Sequence, residues 1–248
     1  MPASGSPSSA SATSVASLVT ELRDQLVAAF NLREASRSDG GDLPLGPDGS
    51  LGSFRLWRGT QIARLAHVGV STPDGLDAHM LVAQTPANSA APHLGVDVMR
   101  FPNGFGFFVD LIPRVDLVSH RDYVQRAYAD LDPHYELFAS HPSAQVVPMP
   151  PSMLTYYSPW MLHHMGLPTL EEIGASVAAY TDRFALLAAA GGTEGLALPA
   201  PEELAERDRL HRAVLFDPDF DPVWRQVEPL LGSAAVTTIR ETLAAPLP

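Results

Sequence analysis

Two aspartates, Asp97 and Asp110, sit in a stretch that is otherwise largely apolar and aromatic, PHLGVDVMRFPNGFGFFVDLIPRVDL over residues 92–117. A carboxylate in such a setting costs stability unless it is paired or used. The stretch divides into two β-rich runs, 93–101 and 105–112, around Pro102-Asn103-Gly104, and Asn-Gly between such runs predicts a hairpin. Alternation along the first run puts His93, Gly95, Asp97, Met99 and Phe101 on one face and Leu94, Val96 and Val98 on the other. With Asn103-Gly104 as the two-residue turn, Phe101 faces Gly106 and Asp97 faces Asp110. Two carboxyls on one face resist ionising together, so one keeps its proton toward neutral pH and can serve as an acid. A wider turn would slip the register and separate the pair. His79 and His93 are the imidazoles expected to share this space, and Gly95 leaves a gap in side-chain cover that suits a large flat ligand. The acid would deliver a proton while a histidine hydrogen-bonds a ring or carbonyl. The plainer alternative is that each is a satisfied polar residue at a strand end or sheet edge.

A second acidic group lies in FDPDFDP, where Asp217, Asp219 and Asp221 follow a predicted helix. Helix C-termini disfavour anions, so this cluster is either solvated and merely stops the helix, or held for a purpose. His79, His93 and Asp97 would also make a two-histidine, one-carboxylate set. Their spacing matches no helix-borne ligand motif, and the adjacent His163-His164 cannot share one helical face, so no metal is expected. Gly104-Phe-Gly106 lacks the third glycine of a dinucleotide loop and enters a strand, and there is no G-x-S-x-G elbow.

The elements that must carry these residues follow from periodicity. Leu18, Leu22, Leu26 and Phe30 mark a first helix over 14–30. Residues 31–50 are rich in Gly, Asp, Ser and Pro and predict a loop. Strands are predicted over 54–58, 62–70 and 78–84. With the hairpin they make five successive strands joined by connections too short for crossover helices, so the sheet must be antiparallel. Helical pieces are predicted over 121–130 and 133–140, and one more strand over 152–157. Thr169-Leu-Glu-Glu172 is a capping box opening a long helix with Ile173, Val177, Tyr180, Phe184 and Leu187 on its buried side, stopped by Gly191-Gly192. A helix over 201–216 and two short ones complete the chain. The expected fold is α+β: one central antiparallel sheet flanked by helices, an α/β/α sandwich. A disordered tail is expected over 1–13 and a single domain over 14–248.

Composition narrows the chemistry. The absence of cysteine excludes disulfides, a thiolate nucleophile and cysteine-held iron–sulfur clusters. All 16 basic residues are arginine, which excludes a P-loop and a Schiff-base lysine. A net charge of −12 argues against nucleic acid and against a membrane surface. No apolar run approaches the roughly 18 residues that would span a bilayer. The first 17 residues carry no arginine and no apolar core, unlike a signal peptide. The chain is expected to be soluble, with its compartment, cytoplasmic or plastid, left open.

The strand Pro92-His-Leu-Gly-Val-Asp97, followed by Phe108-Val-Asp110-Leu-Ile-Pro113-Arg-Val-Asp116-Leu, resembles red chlorophyll catabolite reductase and its relatives, the ferredoxin-dependent bilin reductases. The longer D-L-I-P-R-V-D-L run, His120-Arg-Asp-Tyr123 and Ser152…Ser158-Pro159 look more like the chlorophyll-catabolite branch. Glu206-Arg-Asp208, the acidic turn and Leu231-Gly232 are similar as well, so the resemblance spans most of residues 50–245. It implies an open-chain tetrapyrrole bound between sheet and C-terminal helices, and single electrons from external reduced ferredoxin with no bound cofactor. The strand acid falls on Asp97, and the second acid on Asp217, Asp219 or Asp221, with Asp221 favoured and Asp217 next. His79, His93, His67 and Ser158 fall at substrate-binding positions. Ferredoxins are acidic, so docking on this acidic chain needs a local arginine patch, drawn from Arg114, Arg121, Arg126 or Arg207, Arg209, Arg212. A homodimer is left open. A bilin reductase acting on biliverdin and a non-catalytic tetrapyrrole-binding protein are the alternative readings.

Overall fold

The computed structural model describes residues 14–189 and 195–247. The expected tail over 1–13 and the Gly191-Gly192 stop lie outside them. Nine strands form a single antiparallel sheet: β1 (Arg33–Glu34), β2 (Leu43–Leu45), β3 (Gly52–Arg58), β4 (Arg64–Ser71), β5 (Asp77–Gln84), β6 (His93–Phe101), β7 (Gly104–Ile112), β8 (Gln145–Val146) and β9 (Leu162–Leu167). Their order is β1-β3-β4-β5-β6-β7-β9-β8, with β2 also pairing β3. The helices are α1 (Val15–Ala29), α2 (Arg121–Tyr128), α3 (Asp132–Ala139), α4 (Pro151–Leu154), α5 (Leu170–Ala189), α6 (Pro201–Leu215), α7 (Val223–Leu231) and α8 (Ser233–Ala244).

Alternation builds the sandwich. Leu94, Val96 and Val98 of β6 and Phe107, Val109 and Leu111 of β7 are buried on one face, in one core with Leu18, Leu22 and Leu26 of α1 and Ile173, Val177, Tyr180 and Phe184 of α5. On the other face Phe54, Leu56, Ala66, Val68 and Val82 form a second core with Trp224, Leu231, Val236, Ile239 and Leu243 of α7 and α8. That second core takes its sheet residues from β2 to β5. On β6, β7 and β9 the same face carries Asp97, Asp110 and His163, so the apolar cover gives way to polar groups in the middle of the sheet.

The hairpin forms, with a register two residues away from the expected one. Phe101 pairs with Gly104, Asp97 with Phe108 and Gly95 with Asp110. The turn residues are therefore Pro102-Asn103. Proline fixes its own φ near −65°, which suits the first central position of a turn and excludes the type I′ form that an Asn-Gly turn would take. The positive φ, +133°, falls on Gly104, where a Cβ would sit 2.7 Å from the Leu167 carbonyl oxygen. A slip of two preserves parity, so Asp97 and Asp110 still share a face, although they are not directly opposite.

Other elements depart from expectation for local reasons. Residues 31–50 contain the short strands β1 and β2 and a 3-10 turn at Arg37–Asp39. The strand predicted over 152–157 is instead the helical turn α4, because Pro150-Pro151 supplies the φ and the missing N–H that a helix start tolerates. The sheet gains β9 in its place. Ser14 caps α1 through the Ser17 backbone N–H at 3.0 Å, and the Thr169 hydroxyl donates to Glu172 at the start of α5. No described helix is long and apolar enough to cross a membrane.

Candidate active site

Three acids meet between the sheet and the segments that cover it. Asp97, in mid-β6, lies between Met80 of β5 and Phe108 of β7 in one cross-strand row. It is half-buried and has no hydrogen-bond partner among the described residues. Burial, then the nearby Asp221 charge, push its carboxyl up to about 8. Burial thus favours the neutral form of Asp97 toward neutral pH, and no described side chain takes its proton.

Asp110 is fully buried and accepts two hydrogen bonds from one residue, the Ser158 backbone N–H at 2.8 Å and its hydroxyl at 2.5 Å. Burial raises Asp110 to about 7 against the lowering effect of those donors. Ser158 thus gives both its donors to Asp110, which pins the 156–158 segment to the sheet. That segment lays Tyr157 edge-on to Phe108, with ring centroids 5.3 Å apart. The Tyr157 hydroxyl is raised by burial and by the charges of Asp221, Asp110 and Asp97, which places it among all three acids.

The acidic turn sorts its members. Asp217 is exposed and caps the Asp219 backbone N–H at 2.8 Å. Asp219 is exposed and pairs with Arg225. Asp221 is half-buried, accepts from the Val223 N–H at 3.0 Å, and is raised by burial. Of the three, Asp221 is the one coupled to Asp97. Arg240 fixes the entry to the turn by donating to the Phe216 carbonyl at 2.7 Å.

The histidines expected beside Asp97 are placed elsewhere. His79 pairs across β6 with Val98 and across β4 with Gly69, so it projects from the opposite face, as does His67. There a chain of contacts runs from Arg23 to His67 Nδ1 (3.2 Å), from His67 Nε2 to His79 Nδ1 (3.1 Å) and from His79 Nε2 to Asp77 (3.1 Å). Arg23 can only donate, so both rings carry their proton on Nε2. His93 shares the face of Asp97 but is sealed. The Thr85 N–H donates to its Nδ1 at 3.0 Å and its Nε2 contacts Asp208 at 2.9 Å. Asp208 also pairs with Arg114 and Arg212, and Arg212 and Arg64 donate to the last carbonyls of α8. His93 is thus part of a clamp joining β6 to α6 and α8. Arg114 and Arg212, 1% and 3% exposed, belong to that clamp and cannot serve in a docking patch.

The gap expected at Gly95 is occupied. A Cβ there would meet the Phe108 ring at 3.0 Å and Ile112 at 3.6 Å. The partly accessible surface lies one row along, over Met80, Asp97, Met99, Tyr157 and Asp221. Two shallow recesses, of about 560 and 330 Å³, lie at Arg33, Arg58 and Gly59 and at Arg58, Arg64 and Thr238, and neither includes an acid of this site. Among the described residues no group of three or more His, Asp or Glu side chains converges as metal ligands.

No protein-family model matches the sequence, and no curated protein does. The fold has solved counterparts. Phytochromobilin synthase from tomato, crystallised in complex with biliverdin, superposes with a TM-score of 0.71 over 93% of this chain and 83% of that one, at 16% identity. The two proteins share one fold. At that identity the likeness carries the architecture, and the site must be argued from the residues present.

Sequence reasoning passed over His163. An adjacent His163-His164 pair cannot share one helical face and so suggests no joint site, whereas on β9 neighbouring residues point to opposite faces and act separately. His164 stacks on Phe107 in the first core, and His163 lies directly across from Phe108 on the acid face. The usable signal was Leu162–Leu167 as a strand, with Gly166 and Pro168 closing it.

Proposed function

We propose that this chain reduces an open-chain tetrapyrrole of the red chlorophyll catabolite type, taking electrons one at a time from reduced ferredoxin and holding no redox cofactor of its own. The observation that carries the reading is Asp97, a half-buried carboxyl on the inner face of the sheet with no partner among the described residues, raised by burial and by the nearby Asp221. A conjugated pigment spreads an unpaired electron over its π system, so the protein's task is to place protons at chosen carbons and keep water away. Two electrons and two protons saturate one double bond. Asp97 gives a proton to the reduced pigment and becomes the anion. Asp221 contacts the substrate and supplies the second proton. Asp110 and Ser158 hold the wall that carries Tyr157.

The motif D-L-I-P-R-V-D-L supports the chlorophyll-catabolite branch. A second reading, reduction of biliverdin, is supported by the tomato structure, which was solved with that pigment. Incubating the protein anaerobically with reduced ferredoxin and either pigment, while following visible absorbance, separates the two. Bleaching of the red catabolite alone supports the first reading, and of biliverdin alone the second. Tight binding of either pigment with no bleaching overturns both in favour of a carrier. Docking of ferredoxin would draw on the exposed arginines Arg121, Arg126, Arg207 and Arg209, so turnover is expected to slow as salt rises.

A further inference from the structure

His163 stands on the face of the sheet that carries Asp97. It is the next side chain after Phe108 in the row Met80–Asp97–Phe108–His163, two strand spacings or roughly 10 Å from Asp97. Its ring meets Phe108 edge-on, with centroids 5.9 Å apart, and Phe108 in turn meets Tyr157, so one aromatic floor joins it to the acids. Its Nδ1 is buried without a hydrogen-bond partner. Among the described residues its Nε2 also has no protein partner, and it remains accessible on the half-buried ring. With neither ring nitrogen paired to a protein group among the described residues, the one N–H of a neutral imidazole is uncommitted here.

The tautomer follows from the surroundings. Burial and the neighbouring His164 hold the ring down at about 4, so it is neutral at working pH. A neutral imidazole has one N–H and one lone pair. Sealing the N–H inside without an acceptor is the worse arrangement, because orphaned donors are rarer than under-satisfied acceptors. The proton therefore sits on Nε2, which faces outward as a donor.

We infer that His163 is a substrate-binding residue, donating its Nε2–H to a carbonyl oxygen on an end ring of the bound tetrapyrrole, across the aromatic floor from Asp97. The inference rests on the proposed function and adds to it a fixed orientation of the pigment. A neutral donor here orients without competing with Asp97 as the proton source.

Biliverdin titration followed by its visible spectrum, together with thermal melting, tests this in three variants. His163→Gln places an amide N–H near the position of Nε2 and is expected to keep binding within about twofold of the parent. His163→Asn places it near Nδ1, and His163→Leu has none. Both are expected to weaken binding about tenfold, the worth of one hydrogen bond, and to shift the pigment's absorption band. Equal weakening in Gln and Leu, or unchanged binding in Leu, overturns the inference while leaving the reductase reading intact. A parent protein that binds no biliverdin, and does bind the red catabolite, moves the same titration to that pigment with the same expected ranking. A parent that binds neither overturns both.

Discussion

Replacing Asp97 by Asn should make the protein more stable as it removes turnover. The magnitude follows from the acid's environment. An unfolded aspartate titrates near 3.8, whereas in the fold burial and Asp221 push the Asp97 carboxyl up to about 8. Between those values the folded state holds one more proton than the unfolded state, so stability falls as pH rises, by about 1.4 kcal/mol per pH unit. Run from pH 4 to pH 7, that slope amounts to about 4 kcal/mol at full effect. Asp97 is partly exposed, and solvent screening reduces the figure to on the order of 2–3 kcal/mol. Asparagine has the same shape and no charge to desolvate. In a domain of this length, about 1 kcal/mol moves the melting point by about 2–4 °C. Asp97→Asn should therefore melt about 5–10 °C above the parent at pH 8, with the gap closing toward pH 4. Pigment binding should survive and reduction should fall by at least 100-fold. Equal melting points at pH 8, or near-normal reduction by the variant, would refute the reasoning.

Further outcomes are expected. Asp208→Asn should destabilise the protein by about 3–5 kcal/mol in urea unfolding, because it leaves Arg114 and Arg212 buried without their counter-charge. Acid should unfold the protein earlier than carboxylate titration alone would: His67 and His93 are held down at about 3 by burial. The unfolded chain thus binds more protons below pH 6.5, and the stability these neutral rings contribute above 6.5 is lost as pH falls toward their folded values. Raised Asp97 and Asp110 oppose this over the same range, so the test is a difference: as pH falls from 7 to 4, the urea midpoint of His67→Gln should move upward relative to that of the parent. Gly104→Ala should cost about 2 kcal/mol or more by thermal melting, since it forces a Cβ against the Leu167 carbonyl at a positive φ.

Much of this architecture was legible because local signals agreed with one another. The alternation in Leu94, Val96, Val98 set the faces of β6, and the short connections forced antiparallel pairing. What stayed hidden depended on register, which a composition of strand formers does not encode. Pro102 took the turn position that Asn103 seemed to claim, and this moved Asp110 from Asp97 to Gly95. The face of His79 follows from its pairing with Val98, across a connection of eight residues whose path the sequence does not specify. His93 was attractive for its nearness to Asp97 in the chain. Its fate was decided by Asp208, 115 positions away. His163 was obscured by its neighbour, since an adjacent pair reads differently on a strand and on a helix.

The central proposal is that Asp97 holds a proton near neutral pH on the face of the sheet assigned here to the pigment. The infrared carbonyl band of a protonated carboxyl, taken as the difference between the parent and Asp97→Asn, reads that state directly. The account predicts a band present at pH 6 that fades through about pH 8 and is absent from the variant. A difference spectrum showing only ionised carboxylate at pH 6 would contradict it.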